Sequence, residues 1–295
     1  MNFSQFKKSE FKRFCSILNF KPDCISQIAA NIDSYYNEWI TDKKDNKTND
    51  FKRYKDGTIK QRIIRPPKDE LKKIQGRIKD RILAQIELPD CIHGGVKKRS
   101  NITNAKPHQG KKYQFTTDLK DFYPSISAKK VYDTFISLKF STHFAHWLTK
   151  LTTWKNSVPQ GAPTSTHIAN LVFLKADCAL ICLCNQNNIT YTRYIDDLTF
   201  SSQQDFSHLI SDILQIIMES NFKLSYRKTK YKGNQTITGI DVFLHKIDAP
   251  DRIKEKAKIE AETNAVKQPY TGYMNRIRKT NHKADQQPSR TDLPS

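Results

Sequence analysis

Asp196 and Asp197 stand side by side in "YTRYIDDLTFS", a run otherwise rich in β-branched and aromatic residues. Adjacent like charges in such a segment are costly unless something positive binds there. A hairpin turn solves the placement: it lifts both aspartates to the tip and leaves Tyr194, Leu198 and Phe200 in the sheet. The plainer reading is a solvated turn, where Asp is common. A third carboxylate, Asp118, ends the strand-like "QFTTD" and precedes Phe122-Tyr123. Three carboxylates at strand ends can hold two divalent cations, which activate an attacking hydroxyl and stabilise the leaving oxygen of an in-line phosphoryl transfer. Mg2+ suits oxygen ligands and keeps waters and substrate phosphates in its shell.

Charge points to the substrate class. Lys and Arg number 50 against 30 Asp and Glu, a net +20 over 295 residues. Such an excess repels itself in a compact fold unless a polyanion is the partner, and nucleic acid is the first candidate. An anionic membrane surface is the second, but the basic residues are spread along the chain instead of lining one amphipathic helix. No run of eighteen apolar residues is present, so no transmembrane helix is expected. The N-terminal "MNFSQFKKSEFKRF" lacks an apolar signal core, which points to the cytosol. Three cysteines are scattered, and Cys178, Cys182 and Cys184 fall in "CALICLC". Their spacing reads as buried helix thiols, with a metal site as the less favoured alternative.

The elements that must position the carboxylates follow from periodicity. Residues 1–50 look helical and end in a charged stretch. Asp56-Gly57 between strand-like residues reads as a hairpin. Leu71, Ile74, Ile78, Ile82 and Ile86 recur at helical spacing, with Pro89 marking the helix end. "KYQFTTD" reads as a strand, "STHIANLVFLKADCALICL" as a long apolar helix and "FSHLISDILQIIMES" as an amphipathic one. "FKLSYRKTKYKGNQTITGIDVFL" reads as strands around a Gly233-Asn234 turn, and "APDRIKEKAKIEAETNAV" as a charged helix. The last dozen residues look disordered.

In this setting three motifs resemble those of reverse transcriptases. "YIDD" resembles their Y-x-D-D motif, "DLKDFYPSI" their first catalytic motif, and "VPQGAPTST" their Q-G-x-P-x-S motif. The order Asp118, Gln160, Asp196 is also the family's. Others resemble bacterial retron enzymes: "RIIRPPKDELKKIQ" their fingers stretch, and Asn104-Ala105-Lys106-Pro107-His108 their N-A-x-x-H signature. "TITGIDV" is close to their V-T-G signature, with Ile237 in place of Val, and Thr166 stands where the family usually has Pro. The matches run from about Arg62 to Gly239.

The resemblance implies an α+β right-hand polymerase, with fingers, an antiparallel palm sheet packed on helices, and a helical thumb. The division expected is 1–50 N-terminal helical region, 51–248 fingers and palm, 249–282 thumb and 283–295 disordered tail. Asp118, Asp196 and Asp197 would ligate Mg2+ as catalytic residues. Tyr123 would be a steric gate against the 2′-hydroxyl, or else an ordinary core tyrosine. Gln160 and Gly161 would line the nucleotide pocket, or form a plain turn. Arg62 would hold the triphosphate, with Arg65 the runner-up and a solvated face the alternative. Lys228 would give a proton to leaving pyrophosphate, or simply contact a backbone. Asn104 and His108 would bond to RNA or brace a local loop, and Thr238-Gly239 with the basic helix 251–266 would form a second RNA contact.

The function implied is RNA-directed DNA synthesis from dNTPs in a retron. A dedicated structured non-coding RNA is copied into a branched RNA–DNA hybrid (msDNA), primed from a guanosine 2′-hydroxyl. The setting is the bacterial cytoplasm, with an effector protein encoded nearby, in anti-phage defence and with no membrane partner. The alternatives are a phage-exclusion polymerase making untemplated DNA and a catalytically silent RNA-binding scaffold. A group II intron enzyme would need further regions for which 295 residues leave no room.

Overall fold

The computed structural model describes residues 3–45, 50–54, 56–233, 236–263 and 265–282. The tail expected to be disordered and Asn234 of the expected turn lie outside the described residues. In chain order come α1 (Phe3–Leu18), α2 (Pro22–Ala30), β1 (Trp39–Asp42), β2 (Gln61–Ile64), α3 (Asp69–Arg81) and α4 (Asn101–Ala105). Next are β3 (Tyr113–Asp118), α5 (Phe122–Ser125), α6 (Ala128–Ser137), α7 (Thr142–Thr152) and α8 (Ser165–Gln186). Then follow β4 (Thr190–Tyr194), β5 (Asp197–Ser202), α9 (Ile210–Glu219), β6 (Lys230–Lys232), β7 (Thr236–Ile237), β8 (Ile240–Val242), β9 (Ile247–Asp248), α10 (Asp251–Glu262) and α11 (Pro269–His282). Helices and antiparallel sheets together make the fold α+β, as expected.

The chain forms two compact units, neither contiguous in sequence. The first comprises Met1–Pro89, Leu119–Cys178 and Ile217–Lys223, and the second Asp90–Asp118, Ala179–Ile216 and Leu224–Ser295. The expected blocks 1–50, 51–248 and 249–282 coincide with neither.

In the first unit, α1, α2, α3 and α7 bury Phe14, Leu18, Ile25, Leu71, Ile74, Ile78, Leu148 and Leu151. The helical stripe of α3 is as read from the sequence, but the helix stops at Arg81 instead of running to Pro89. Leu83 would fall off the Leu71–Ile78 stripe of a continuing helix. A 3-10 turn over Leu83–Gln85 buries it instead. The N-terminal region is not wholly helical: β1 pairs antiparallel with β2, Trp39 opposite Ile64. The Asp56-Gly57 hairpin is present as a bridge between Arg53 and Ile59, with Gly57 at φ 85.

In the second unit, β4-β5-β3-β6 form one antiparallel sheet and β7-β8-β9 another. Period-2 alternation sends Phe115, Phe200 and Tyr191 to one face of the larger sheet, where their rings pack together. The smaller sheet shares a core with α4 and α11 through Ile102, Ala105, Ile237, Ile240, Ile247 and Ile277. Glu260 of α10 reaches the first turn of α11, accepting bonds from the backbone N–H groups of Tyr270 and Thr271 and from the Thr271 hydroxyl. It caps a neighbouring helix, and Lys256 Nζ donates to the Tyr270 hydroxyl.

Helix α8 has the length and apolar composition of a membrane span, but half of that stretch is buried inside the protein, among residues such as Ile168, Leu171, Phe173 and Leu180, as in a core helix. Of its three cysteines only Cys184 is buried; Cys178 and Cys182 are exposed, so the reading of all three as buried thiols is corrected.

Candidate active site

Register decides where the carboxylates go. Residues directly opposite on antiparallel strands share a face, and Asp118 at the end of β3 pairs with Asp197 at the start of β5. Tyr194 pairs with Asp197 from the other side. The loop between β4 and β5 is therefore only Ile195-Asp196. This corrects the expectation that both aspartates sit at the tip: a two-residue loop has room for Asp196 alone, and Asp197 is already in the ladder.

Three carboxylates thus gather at one end of the sheet. Burial pushes the Asp197 carboxyl up to about 7, helped by the charges of Asp196 and Asp118 and only partly opposed by Lys228. Lys228 donates an ion-paired hydrogen bond to Asp118 Oδ2. Burial works to lower its pKa, yet the bond to Asp118 and the three carboxylate charges hold the ammonium above its ordinary value. Among the described residues no group of three or more His, Cys, Asp or Glu already converges as a metal cage. The donor set still fits a hard divalent cation: it is all oxygen, and three carboxylates face one ammonium. Asp118, Asp196 and Asp197 would hold it.

The other nucleotide residues lie in the first unit. Arg62 is exposed on β2. Arg65 is committed elsewhere: its Nε donates to Glu38 at 2.6 Å, and its guanidinium lies 5.4 Å from the Trp154 ring centre. Arg62 is therefore the better placed for a phosphate. The Arg65 N–H donates to the Gln160 carbonyl at 2.7 Å. Gly161 has φ 104, and a Cβ there would lie 3.1 Å from Ile64 Cγ2. Only glycine fits that approach to β2 without strain. The Tyr123 hydroxyl shares a 3.0 Å hydrogen bond with Thr166 Oγ1. The departure from the family pattern at Thr166 thus supplies the group that holds Tyr123.

Asn104, His108, Thr238 and Gly239 lie in the second unit, and their placement corrects the expectation of direct RNA contact for the first two. Both side chains have no exposed surface. His108 is bonded through Nδ1 to Ser201 Oγ at 2.6 Å and through Nε2 to Thr192 Oγ1 at 2.8 Å. It bridges β5 and β4 on the face that carries Asp118 and Asp197. Asn104 Nδ2 donates to Thr238 Oγ1, and Asn101 Nδ2 donates to the Thr238 carbonyl and the Tyr273 hydroxyl of α11. Thr238 and Gly239, at φ 45 and 79, make the tight turn between β7 and β8. A Cβ on Gly239 would meet nothing within 4 Å, so its glycine serves the turn and leaves open space above.

A pH dependence follows. Burial, then the charges of His93 and Lys111, push His108 down to about 3. A folded value below the unfolded one means the unfolded chain takes the proton first. Stability is complete above about pH 6.5 and falls with pH toward 3, by at most about 1.4 kcal/mol per unit for this group. Because the raised carboxyl of Asp197 acts with the opposite sign in the same window, the His108 contribution is read as a difference: from pH 7.5 to 5 the melting temperature of the wild type should fall relative to that of His108→Gln. A difference that stays constant with pH would remove His108 as the titrating group.

Sequence reasoning passed over Gly94, Arg193 and Ile195. No local signal marked them, because the two-residue length of the loop that puts Ile195 at a left-handed position follows from strand register.

The reverse transcriptase (RNA-dependent DNA polymerase) family profile matches residues 43–242. The Retron Ec86 reverse transcriptase of Escherichia coli is 34% identical over 211 residues, 67% of this chain and 64% of that protein. The Retron Se72 reverse transcriptase of Salmonella heidelberg is 34% identical over 197 residues, 65% of this chain and 52% of that protein. The chain spans less than two thirds of the length of either. A structure of the foamy viral protease-reverse transcriptase in complex with ds DNA is 18% identical at a TM-score of 0.38, covering 68% of this chain and 30% of that one.

Proposed function

Because the chain belongs to the reverse transcriptase (RNA-dependent DNA polymerase) family, we propose that it is a retron enzyme that copies RNA into DNA from deoxynucleoside triphosphates. The observation that carries this is the cross-strand pair of Asp118 and Asp197 with Asp196 in the adjoining loop. Mg2+ held there would supply charge stabilisation for in-line phosphoryl transfer. Asp118, Asp196 and Asp197 orient the reacting end, and Arg62 binds the triphosphate with paired donors. Gln160 and Gly161 line the nucleotide pocket. Lys228, once released from Asp118, gives a proton to the leaving pyrophosphate.

The finer reading follows from the likeness to retron enzymes of bacteria. The template is a dedicated structured non-coding RNA, priming is from a guanosine 2′-hydroxyl, and the product is msDNA. A nearby effector protein and a role against phage in the bacterial cytoplasm complete the proposal. The test is primer extension on RNA with dNTPs, with and without chelator, followed by sequencing of co-purified nucleic acid. Chelator-sensitive extension and one recurrent bound RNA are expected. Binding without extension would leave a silent RNA-binding scaffold, and extension that ignores the template would indicate untemplated synthesis.

Sugar choice gives a further prediction. Tyr123, fixed by Thr166, should exclude the 2′-hydroxyl, so Tyr123→Ala should raise the ratio of ribonucleotide to deoxynucleotide incorporation by about tenfold or more. An unchanged ratio with activity retained would return Tyr123 to a core role.

A further inference from the structure

We propose that Gly94 and Arg193 are positioning residues that clamp the Ile195-Asp196 turn and so aim the Asp196 carboxylate; this rests on the polymerase reading above. The turn needs a clamp. Ile195 has φ 61, a left-handed conformation that is costly for a β-branched residue. Asp196 follows directly, and its charge and that of Asp197 repel each other. Strain of this kind persists only where the surroundings over-determine it.

Two contacts do so from within the same compact unit. On one side lies Gly94. A Cβ built there would stand 2.5 Å from both the Ile195 backbone N and its Cγ1, and 3.1 Å from the Tyr194 carbonyl carbon. Gly94 does not have a positive φ, so it is glycine because the turn rests on its backbone. The second contact is Arg193, which is fully buried. Its Nη1 donates to the Ile195 carbonyl at 2.9 Å, fixing the peptide that leads into Asp196. Both residues belong to one frame. The Arg193 N–H donates to the Cys91 carbonyl at 2.7 Å, and the Arg193 carbonyl accepts from the His93 N–H at 2.8 Å. The 91–94 segment thus runs along β4 and delivers Gly94 against the turn. A side chain at 94 would displace Asp196 while leaving Asp118 and Asp197 in their ladder.

The test compares the wild-type chain with Gly94→Ala, Arg193→Lys and Gly76→Ala. Gly76 is the control, because a Cβ there meets nothing within 4 Å. Mn2+ binding is read by electron paramagnetic resonance in the absence of nucleotide. Duplex binding is read by fluorescence anisotropy, folding by thermal melting, and DNA synthesis by kcat and KM. Gly94→Ala should weaken Mn2+ binding and lower kcat by about ten- to a hundredfold, with KM and duplex affinity close to wild type and a lowered melting temperature, because the Ile195 backbone must shift. Gly76→Ala should match wild type in Mn2+ binding, duplex affinity, kcat and KM, and melt slightly higher, since it lies inside α3. Wild-type Mn2+ binding and kcat in Gly94→Ala overturn the clamp. If Gly94→Ala fails to fold, Arg193→Lys decides. It keeps the buried charge but loses the planar fork, and unchanged Mn2+ binding there also overturns the clamp. A wild type that neither binds Mn2+ nor makes DNA overturns the polymerase reading and the clamp with it.

Discussion

Asp196→Asn should lower DNA synthesis by about a thousandfold or more while the protein melts close to the wild-type temperature. The size follows from the chemistry proposed. A cation at a phosphoryl-transfer centre supplies several kcal/mol of charge stabilisation, and about 4 kcal/mol is about three orders of magnitude in rate. The selectivity follows from the fold. Asp196 is in a two-residue loop and outside the ladder, whereas Asp197 is paired on both sides. Replacing a charged carboxylate by its neutral isostere also relieves repulsion of Asp197, whose pKa is raised in part by that neighbour. Melting temperature should therefore hold or rise slightly. dNTP incorporation, Mn2+ binding and thermal melting are measured on the same preparation. Wild-type incorporation would remove the aspartates from the reaction. Lost incorporation together with a collapsed melt would make Asp196 a folding residue instead.

What the sequence disclosed about this site is what short-range pattern can encode. Alternation in "QFTTD" and "LTFS" gives two strands, and the two strand ends give a carboxylate each. The partner of each strand is not encoded locally. Nothing in the sequence alone puts Asp118 directly opposite Asp197, since register is set by the packing of Phe115, Phe200 and Tyr191 on the other face. The same limit explains the misplaced Asp197. Its type suggested a turn, but the length of the loop is a tertiary outcome. Helix α3 shows the converse. Its apolar stripe was legible, and its end was not, because the burial of Leu83 competes with helical continuation. Resemblance carried the reading past these points, but it assigned residues to RNA without knowing their depth.

That depth changes what is expected of Asn104 and His108. Exposed, they would read RNA, and their loss would matter chiefly on a structured template. In the structure they are interior. His108 ties Thr192 of β4 to Ser201 of β5, and Asn104 ties α4 to the Thr238 turn, which Asn101 joins to Tyr273 of α11. Asn104→Ala with His108→Ala takes the imidazole partner from the buried Ser201 hydroxyl, removes one of the bonds of Thr192 and of Thr238, and opens a cavity. An orphaned group costs about 1–3 kcal/mol and the cavity adds to it, so a combined loss of about 4 kcal/mol is expected. At about 2–4 °C per kcal/mol for a chain of this size, the melting temperature falls by about 10 °C. Because His108 braces the face that carries Asp118 and Asp197, activity should fall equally on a structured RNA and on an ordinary primer–template. His108→Gln, which can still offer a donor and an acceptor, should recover part of both. Melting curves and primer extension on the two templates check this. A selective loss on the structured RNA with an unchanged melt would mean that these residues come to the surface to bind RNA, and the bracing role would be wrong.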